Sequence, residues 1–207
     1  REFLTHSTEE NKFNHKELYE VFDLCISCKA CASECPSSVD VSVLKAEFLH
    51  QYFQENKVPL RTRLFGNNSK YNRYASWAPQ LSNALLQMGI TKKILGVAPQ
   101  RALPKLAPTT LRKWYQKNAT RLHKNGSPHG EVVVFCDAFT NHYDVQTGMD
   151  CLELLSKIGY KPLIVDHEES GRSAISKGLL NIAKEKARAN VATFSNMISE
   201  NTPLVGI

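Results

Sequence analysis

The stretch Leu24-Cys25-Ile26-Ser27-Cys28-Lys29-Ala30-Cys31-Ala32-Ser33-Glu34-Cys35-Pro36 places four thiols within eleven residues and closes them with a proline. Gaps of two, two and three residues followed by Cys-Pro are the ligand spacing of a [4Fe–4S] cluster, in which the short gaps let three sulfurs converge on one cubane. In two-cluster proteins the fourth cysteine of such a run ligates the other cluster. Cys25, Cys28, Cys31 and Cys35 are therefore the candidate iron ligands, with Cys35 the one free to reach a second cluster. Electron transfer is the chemistry they point to.

Two other uses of clustered cysteines fit less well. A zinc tetrahedron is normally closed by two chain segments about a dozen or more residues apart, and no second Cys-x2-Cys or His pair follows cleanly. A disulfide framework suits a small secreted domain, whereas the remaining cysteines, Cys136 and Cys151, lie far away in apolar surroundings.

The 207 residues suffice for one or two domains with a proper core. No apolar stretch approaches the roughly 20 residues of a membrane span, and free thiols with a cluster motif favour a reducing, cytoplasmic setting. The chain opens on Arg1 and closes on the strand-like Pro203-Leu204-Val205-Gly206-Ile207, which reads as a truncated piece of a longer polypeptide. Its net charge of +6 hides an asymmetry: Lys57 to Lys124 holds fourteen Lys and Arg and no acidic residue, so twelve basic and twenty acidic residues elsewhere leave −8. Such a segment is expected to meet an anionic neighbour, whether a domain, cofactor phosphates, a carboxylate substrate or the inner face of a membrane peripherally, or else to be a solvated basic face.

Around the cysteines the pattern is helical. Leu18, Val21, Phe22 and Cys25 share one side of a helix over 15–24, and Asp40 caps a second helix lined by Val41, Leu44, Phe48 and Tyr52. Two or three short helices are expected over 67–96, where Tyr71, Tyr74, Leu81, Leu85, Ile90 and Ile94 recur, broken at Pro79 and Gly89. Pro99, Pro104 and Pro108 then make a strap, a short helix follows at 109–116, and Asn125–Gly130 reads as a boundary loop. Beyond it Glu131–Cys136, Pro162–Val165 and Leu204–Ile207 read as strands. The helices between them are lined by Met149, Leu152, Leu155 and Ile158, and by Leu180, Ala183, Ala187, Val191, Phe194 and Ile198. That alternation predicts an α/β, Rossmann-like doubly wound parallel sheet. Asp137-Ala-Phe-Thr-Asn141 stands where a dinucleotide loop would carry Gly-x-Gly-x-x-Gly.

Leu24–Pro36, followed by Lys45-Ala-Glu-Phe-Leu-His50, resembles the second cluster motif in the iron–sulfur part of FAD-linked 2-hydroxyacid oxidoreductases. That group includes the glycolate oxidase and glycerol-3-phosphate dehydrogenase iron–sulfur subunits and the fused D-lactate or D-2-hydroxyglutarate dehydrogenases. Arg1-Glu-Phe-Leu4 is similar to the stretch just after their first cluster motif. Val134–Asn141 and Ser176–Leu180 resemble their cysteine-rich domain, with Cys136 on its first cysteine position but Glu169-Ser170 before Gly171 where a Cys-Cys pair usually stands. A carboxylate and a hydroxyl are hard donors, so no second metal is expected there, and Cys136 and Cys151 are expected to be buried as small hydrophobes.

The resemblance implies an α-helical ferredoxin-like cluster domain over 1–96, a Pro-rich basic linker over 97–129 and an α/β half-domain over 130–207. It implies an electron relay from a flavin that oxidises glycolate, D-lactate or D-2-hydroxyglutarate to a quinone or carrier protein. The FAD domain or subunit is expected outside this chain, no catalytic acid or base within it, and, without a first cluster motif, a [4Fe–4S] cluster held poorly by the chain alone. A second class of function is suggested by Tyr71, Arg73, Tyr74, Trp77 and Arg112–Tyr115, which interleave aromatics with positive charge as single-stranded nucleic-acid binders do. No phosphate-binding loop or helicase-like motif accompanies them, so no nucleic-acid partner is expected. A third, a non-catalytic interaction module docking through Pro99–Pro108, would work without its cysteines.

Overall fold

In the computed structural model, which describes residues 5–123 and 128–207, fifteen regular elements follow one another. They begin with α1 (Lys16–Asp23), α2 (Ala30–Glu34), α3 (Val41–Glu55), α4 (Leu60–Gly66), α5 (Asn68–Ala75), α6 (Pro79–Gln87), α7 (Gly89–Ile94) and α8 (Leu111–Leu122). They continue with β1 (Glu131–Phe135), α9 (Ala138–His142), α10 (Val145–Lys157), β2 (Lys161–Leu163), α11 (Arg172–Ser176), α12 (Leu180–Phe194) and β3 (Leu204–Gly206). Arg1–Leu4 and part of the expected 125–130 boundary loop lie outside the described residues.

The chain forms two compact units, each assembled from separated stretches: Arg1–Asn68 with Gly171–Glu185, and Ser69–Ser170 with Lys186–Ile207. This differs from a division into consecutive blocks at 96 and 129. Residues 69–123 group with the sheet-bearing unit, bonded to the end of α9: Tyr143 Oη donates to Asn72 Oδ1 at 2.9 Å, and Ser76 Oγ lies 2.9 Å from His142 Nδ1.

In the first unit Asp40 caps α3 by accepting from the amides of Ser42 and Val43. The buried face of α3 is Ser42, Lys45, Ala46, Phe48 and Leu49, while Leu44, expected inside, is exposed. The face is turned by what packs on either side. Phe22 of α1 lies 5.1 Å from the Phe48 ring and Tyr19 stacks on Tyr52 at 5.0 Å. On the other side Gly178 comes so near that a Cβ on it would sit 2.3 Å from Leu49 Cβ. Gly178 has φ +71°, so both its backbone and its lack of a side chain are needed there. Val21 of α1 is exposed.

In the second unit β1 is the central strand of a three-stranded parallel sheet ordered β2-β1-β3. Val132 faces Pro162 across one edge and Val134 faces Val205 across the other. Side chains alternate along β1, so Val134 and then Cys136 face a core with Leu111 and Leu122 of α8 and Val145 and Leu152 of α10. On the opposite face Phe135 packs against Phe194 at 6.0 Å. Thr110 Oγ1 caps α8 by accepting from the Lys113 amide, and α8 runs to Leu122, past the expected end near 116. Ile158 falls at the C-cap of α10 and is exposed, as are Val191 and Ile198; the helix α12 ends at Phe194. The edge strand β3 is more exposed than its apolar sequence suggested, because among the described residues β1 alone pairs with it.

Candidate functional site

The cysteine run leaves α1 through a tightened last turn, in which the Cys25 amide donates to the Phe22 carbonyl at 3.1 Å. Ser27 (φ 57°) and Lys29 (φ 65°) are both left-handed, a conformation that costs a side-chain-bearing residue on the order of 1 kcal/mol. Such positions concentrate at ligand clamps and functional turns. They fold the two Cys-x2-Cys spacings into a compact loop, Lys29 acts as N-cap of α2, and Cys31 lies within that helix. Ser38 (φ 52°) is the third such residue and turns the chain from Cys35 back to the α3 cap.

Backbone amides point at two of the sulfurs. The Val41 N–H donates to Cys31 Sγ at 3.2 Å. Amides of Val39, Ser37 and Ser38 hold the Cys35 thiol below its ordinary pKa, against a smaller opposing effect of burial. Amide donors favour the thiolate, which is the form that ligates iron. Cys25, Cys31 and Cys35 are half-buried and Cys28 is exposed.

Behind the loop, Lys45 is almost fully buried and its Nζ donates to the Cys25 carbonyl at 2.5 Å. It shares a small cleft with Tyr19, Asp23, Leu49, Phe53, Thr62, Ser176 and Lys177. Burial lowers the pKa of Lys177, and the charges of Lys45 and Arg61 lower it further. In front, Lys29 Nζ lies 3.7 Å from the Asp40 carboxylate. Sequence reasoning quoted Lys45 within the resembling stretch but gave it no role; its place among the apolar residues of a helical face was the available signal.

The donor types and their spacing along the chain are those an iron–sulfur cluster takes, with amides near two of the thiols and the Lys45 charge behind. Among the described residues, however, no three or more His, Cys, Asp or Glu side chains are gathered to hold a metal ion, so the four sulfurs do not form one ligand set in this structure.

A second polar cluster lies at the carboxyl end of β1, where ligands of open parallel sheets commonly bind. Cys136 is 3% exposed, and burial pushes its thiol up to about 11, so at neutral pH it stays protonated. Its amide donates to His167 Nε2 at 3.1 Å, while Arg112 donates to Asp166 and to the His167 carbonyl. Glu169, in the position the resemblance gives to a cysteine, accepts from Lys186 Nζ in a pair whose side chains are both largely buried. These groups bond to one another, and a neutral buried thiol is neither ligand nor nucleophile. Cys151 is half-buried, and burial raises its pKa.

The chain is similar to part of several D-2-hydroxyglutarate dehydrogenases. The chain is 27% identical, over 96% of its length, to the D-2-hydroxyglutarate dehydrogenase of Escherichia coli (strain K12). It is 27% identical over 94% to that of Haemophilus influenzae (strain ATCC 51907 / DSM 11121 / KW20 / Rd), and 28% identical over 96% to that of Pantoea ananatis (strain AJ13355). The chain spans only 20% of the length of each of these enzymes. No family model and no solved structure matches it. Among the described residues no helix is long and apolar enough to cross a membrane.

Proposed function

We propose that this chain is the iron–sulfur segment of a FAD-linked 2-hydroxyacid oxidoreductase, with D-2-hydroxyglutarate the substrate class its relatives suggest. The observation that carries the reading is the Cys25–Cys35 run, with amides aimed at Cys31 and Cys35, inside a sequence similar to those dehydrogenases over nearly all its length. Cys25, Cys28 and Cys31 would hold a [4Fe–4S] cluster, and Cys35 would complete it or serve a neighbouring one. A flavin takes two electrons from a hydroxyacid, and a cubane accepts them one at a time.

The chain's own residues have narrower duties. Ser27 and Lys29 shape the loop, the amides of Val41, Val39 and Ser37 favour thiolates, and Lys45 anchors the first cysteine from behind. Lys45 and Lys29 add positive charge, which draws electrons toward the loop and raises a reduction potential there.

Iron and sulfide analysis with anaerobic visible spectroscopy tests the reading, on the chain and on the polypeptide that carries it. Addition of D-2-hydroxyglutarate under nitrogen should bleach the visible band of the iron-loaded polypeptide. Absence of iron and sulfide from that polypeptide after anaerobic reconstitution would remove the proposal.

A further inference from the structure

The short helices α6 and α7 turn Asn83, Gln87 and Lys92 toward the proline strap. Asn83 Nδ2 donates to the Leu106 carbonyl at 2.9 Å and its Oδ1 accepts from the Leu106 amide at 2.8 Å. Gln87 Nε2 donates to the Leu103 carbonyl at 2.8 Å and Lys92 Nζ to that of Pro99 at 3.1 Å. These bonds satisfy the backbone of the proline strap, which has no regular partner of its own.

Leu81 and Leu85 of α6 and Ile90 and Ile94 of α7 face out, as do Trp77 and Met88 beside the helices. Trp77, Leu81, Leu85, Met88, Ile90 and Ile94 are between 48% and 78% exposed. Single exposed hydrophobes are ordinary, but a helix pair with its amphipathicity reversed presents an interaction face. The segment that carries these residues is positive: Lys70, Arg73, Lys93 and Arg101 are exposed, and no Asp or Glu occurs between Lys57 and Lys124. A second copy would set these charges against themselves, at a cost that suppresses such pairing.

We propose that this face docks an acidic protein surface with an apolar centre, supplied by another part of the same oxidoreductase. The inference rests on the proposed function for the identity of that partner. Three observations carry it. The exposed charges of this segment have one sign, so its complement is anionic. Tryptophan and methionine in an apolar centre beside arginine are what protein interfaces are enriched in. The relatives hold the matching stretch in chains of which it is 20%, so most of their surface is tethered to it at high effective concentration.

The test places a photo-crosslinking benzoylphenylalanine at Leu85 or Ile94 in the full polypeptide that carries this chain, with exposed Gln146 as control. Leu85 and Ile94 should crosslink to Asp- or Glu-bearing peptides from another segment on the order of tenfold more than Gln146 does. Arg73→Glu with Lys93→Glu should lower that yield. Crosslinks to this chain's own peptides from a second copy, crosslinks to lipid in the presence of phosphatidylglycerol vesicles, or yields no higher than at Gln146 would each overturn the proposal. The crosslink reads contact with or without iron. An iron-free polypeptide that still crosslinks counts against the cluster and for the docking face, and an iron-loaded one that does not crosslink counts the other way.

Discussion

Lys45 Nζ donates to the carbonyl oxygen of Cys25, joining the buried face of α3 to the first cysteine of the run across twenty residues of chain. Replacing this side chain should disturb the loop without touching a thiol. In Lys45→Met the carbonyl loses a charged donor, a loss worth about 1.5–3 kcal/mol. Iron affinity in anaerobic reconstitution should fall about tenfold, the usual effect of removing a group that orients a ligand. Unchanged iron uptake with unchanged far-ultraviolet dichroism would show that Lys45 is only filling space.

The six thiols should react in a defined order in the metal-free chain. Amides hold Cys35 below the ordinary thiol range, whereas burial pushes Cys136 up to about 11. Mass-resolved iodoacetamide labelling at pH 7.5 should therefore modify Cys35 ahead of Cys136, with Cys136 protected until denaturant is added. A Cys136 that labels as fast as Cys35 in the native chain would contradict the buried placement.

Acid should weaken the sheet-bearing unit through His142. Burial, with the Arg112 charge adding to it, lowers the His142 pKa to about 4. The unfolded chain takes up the proton near pH 6.5, so it binds more protons than the folded one between those values, and stability rises with pH across that window. The stabilisation is complete above pH 6.5 and is lost as pH falls toward 4. After allowance for solvent screening the loss is about 2 kcal/mol. Urea midpoints followed from pH 7 to 4 should fall for the native chain and fall less for His142→Gln.

The reversed helix gives a paired prediction. Asn83→Ala strands both the amide and the carbonyl of Leu106, at about 1–3 kcal/mol for each buried group left unpaired. Leu85→Ala removes an exposed side chain and should change stability by no more than about 0.5 kcal/mol. Measured unfolding energies in the opposite order would mean that the helix faces the other way.

Much of the local structure was legible because local rules govern it. The run Val132-Val-Val-Phe135 is too continuously apolar for a half-exposed strand, and β1 is buried between parallel neighbours. The Asp40 cap and the breaks at Pro79 and Gly89 were equally readable. Periodicity found the helices that carry Leu81 and Leu85 but not the direction of their apolar face, since the same spacing marks a buried face and an exposed one. It also missed Lys45, Arg112 and His167, whose roles depend on bonds spanning 20, 54 and 31 residues. The thiol spacing named the candidate ligands, but spacing alone cannot draw their sulfurs together.

The close seat of Gly178 against Leu49 has a consequence in time as well as in space. A ribosome makes α3 and all four clustered thiols long before it reaches the glycine on which that helix rests. Until Gly171–Glu185 has emerged, the first unit lacks one of its two parts, and its cysteines are displayed on an unfinished support. The Lys45 bond to Cys25 can form early, but the helix that carries it gains its seat on Gly178 only when the later segment arrives, so the unit closes late in synthesis.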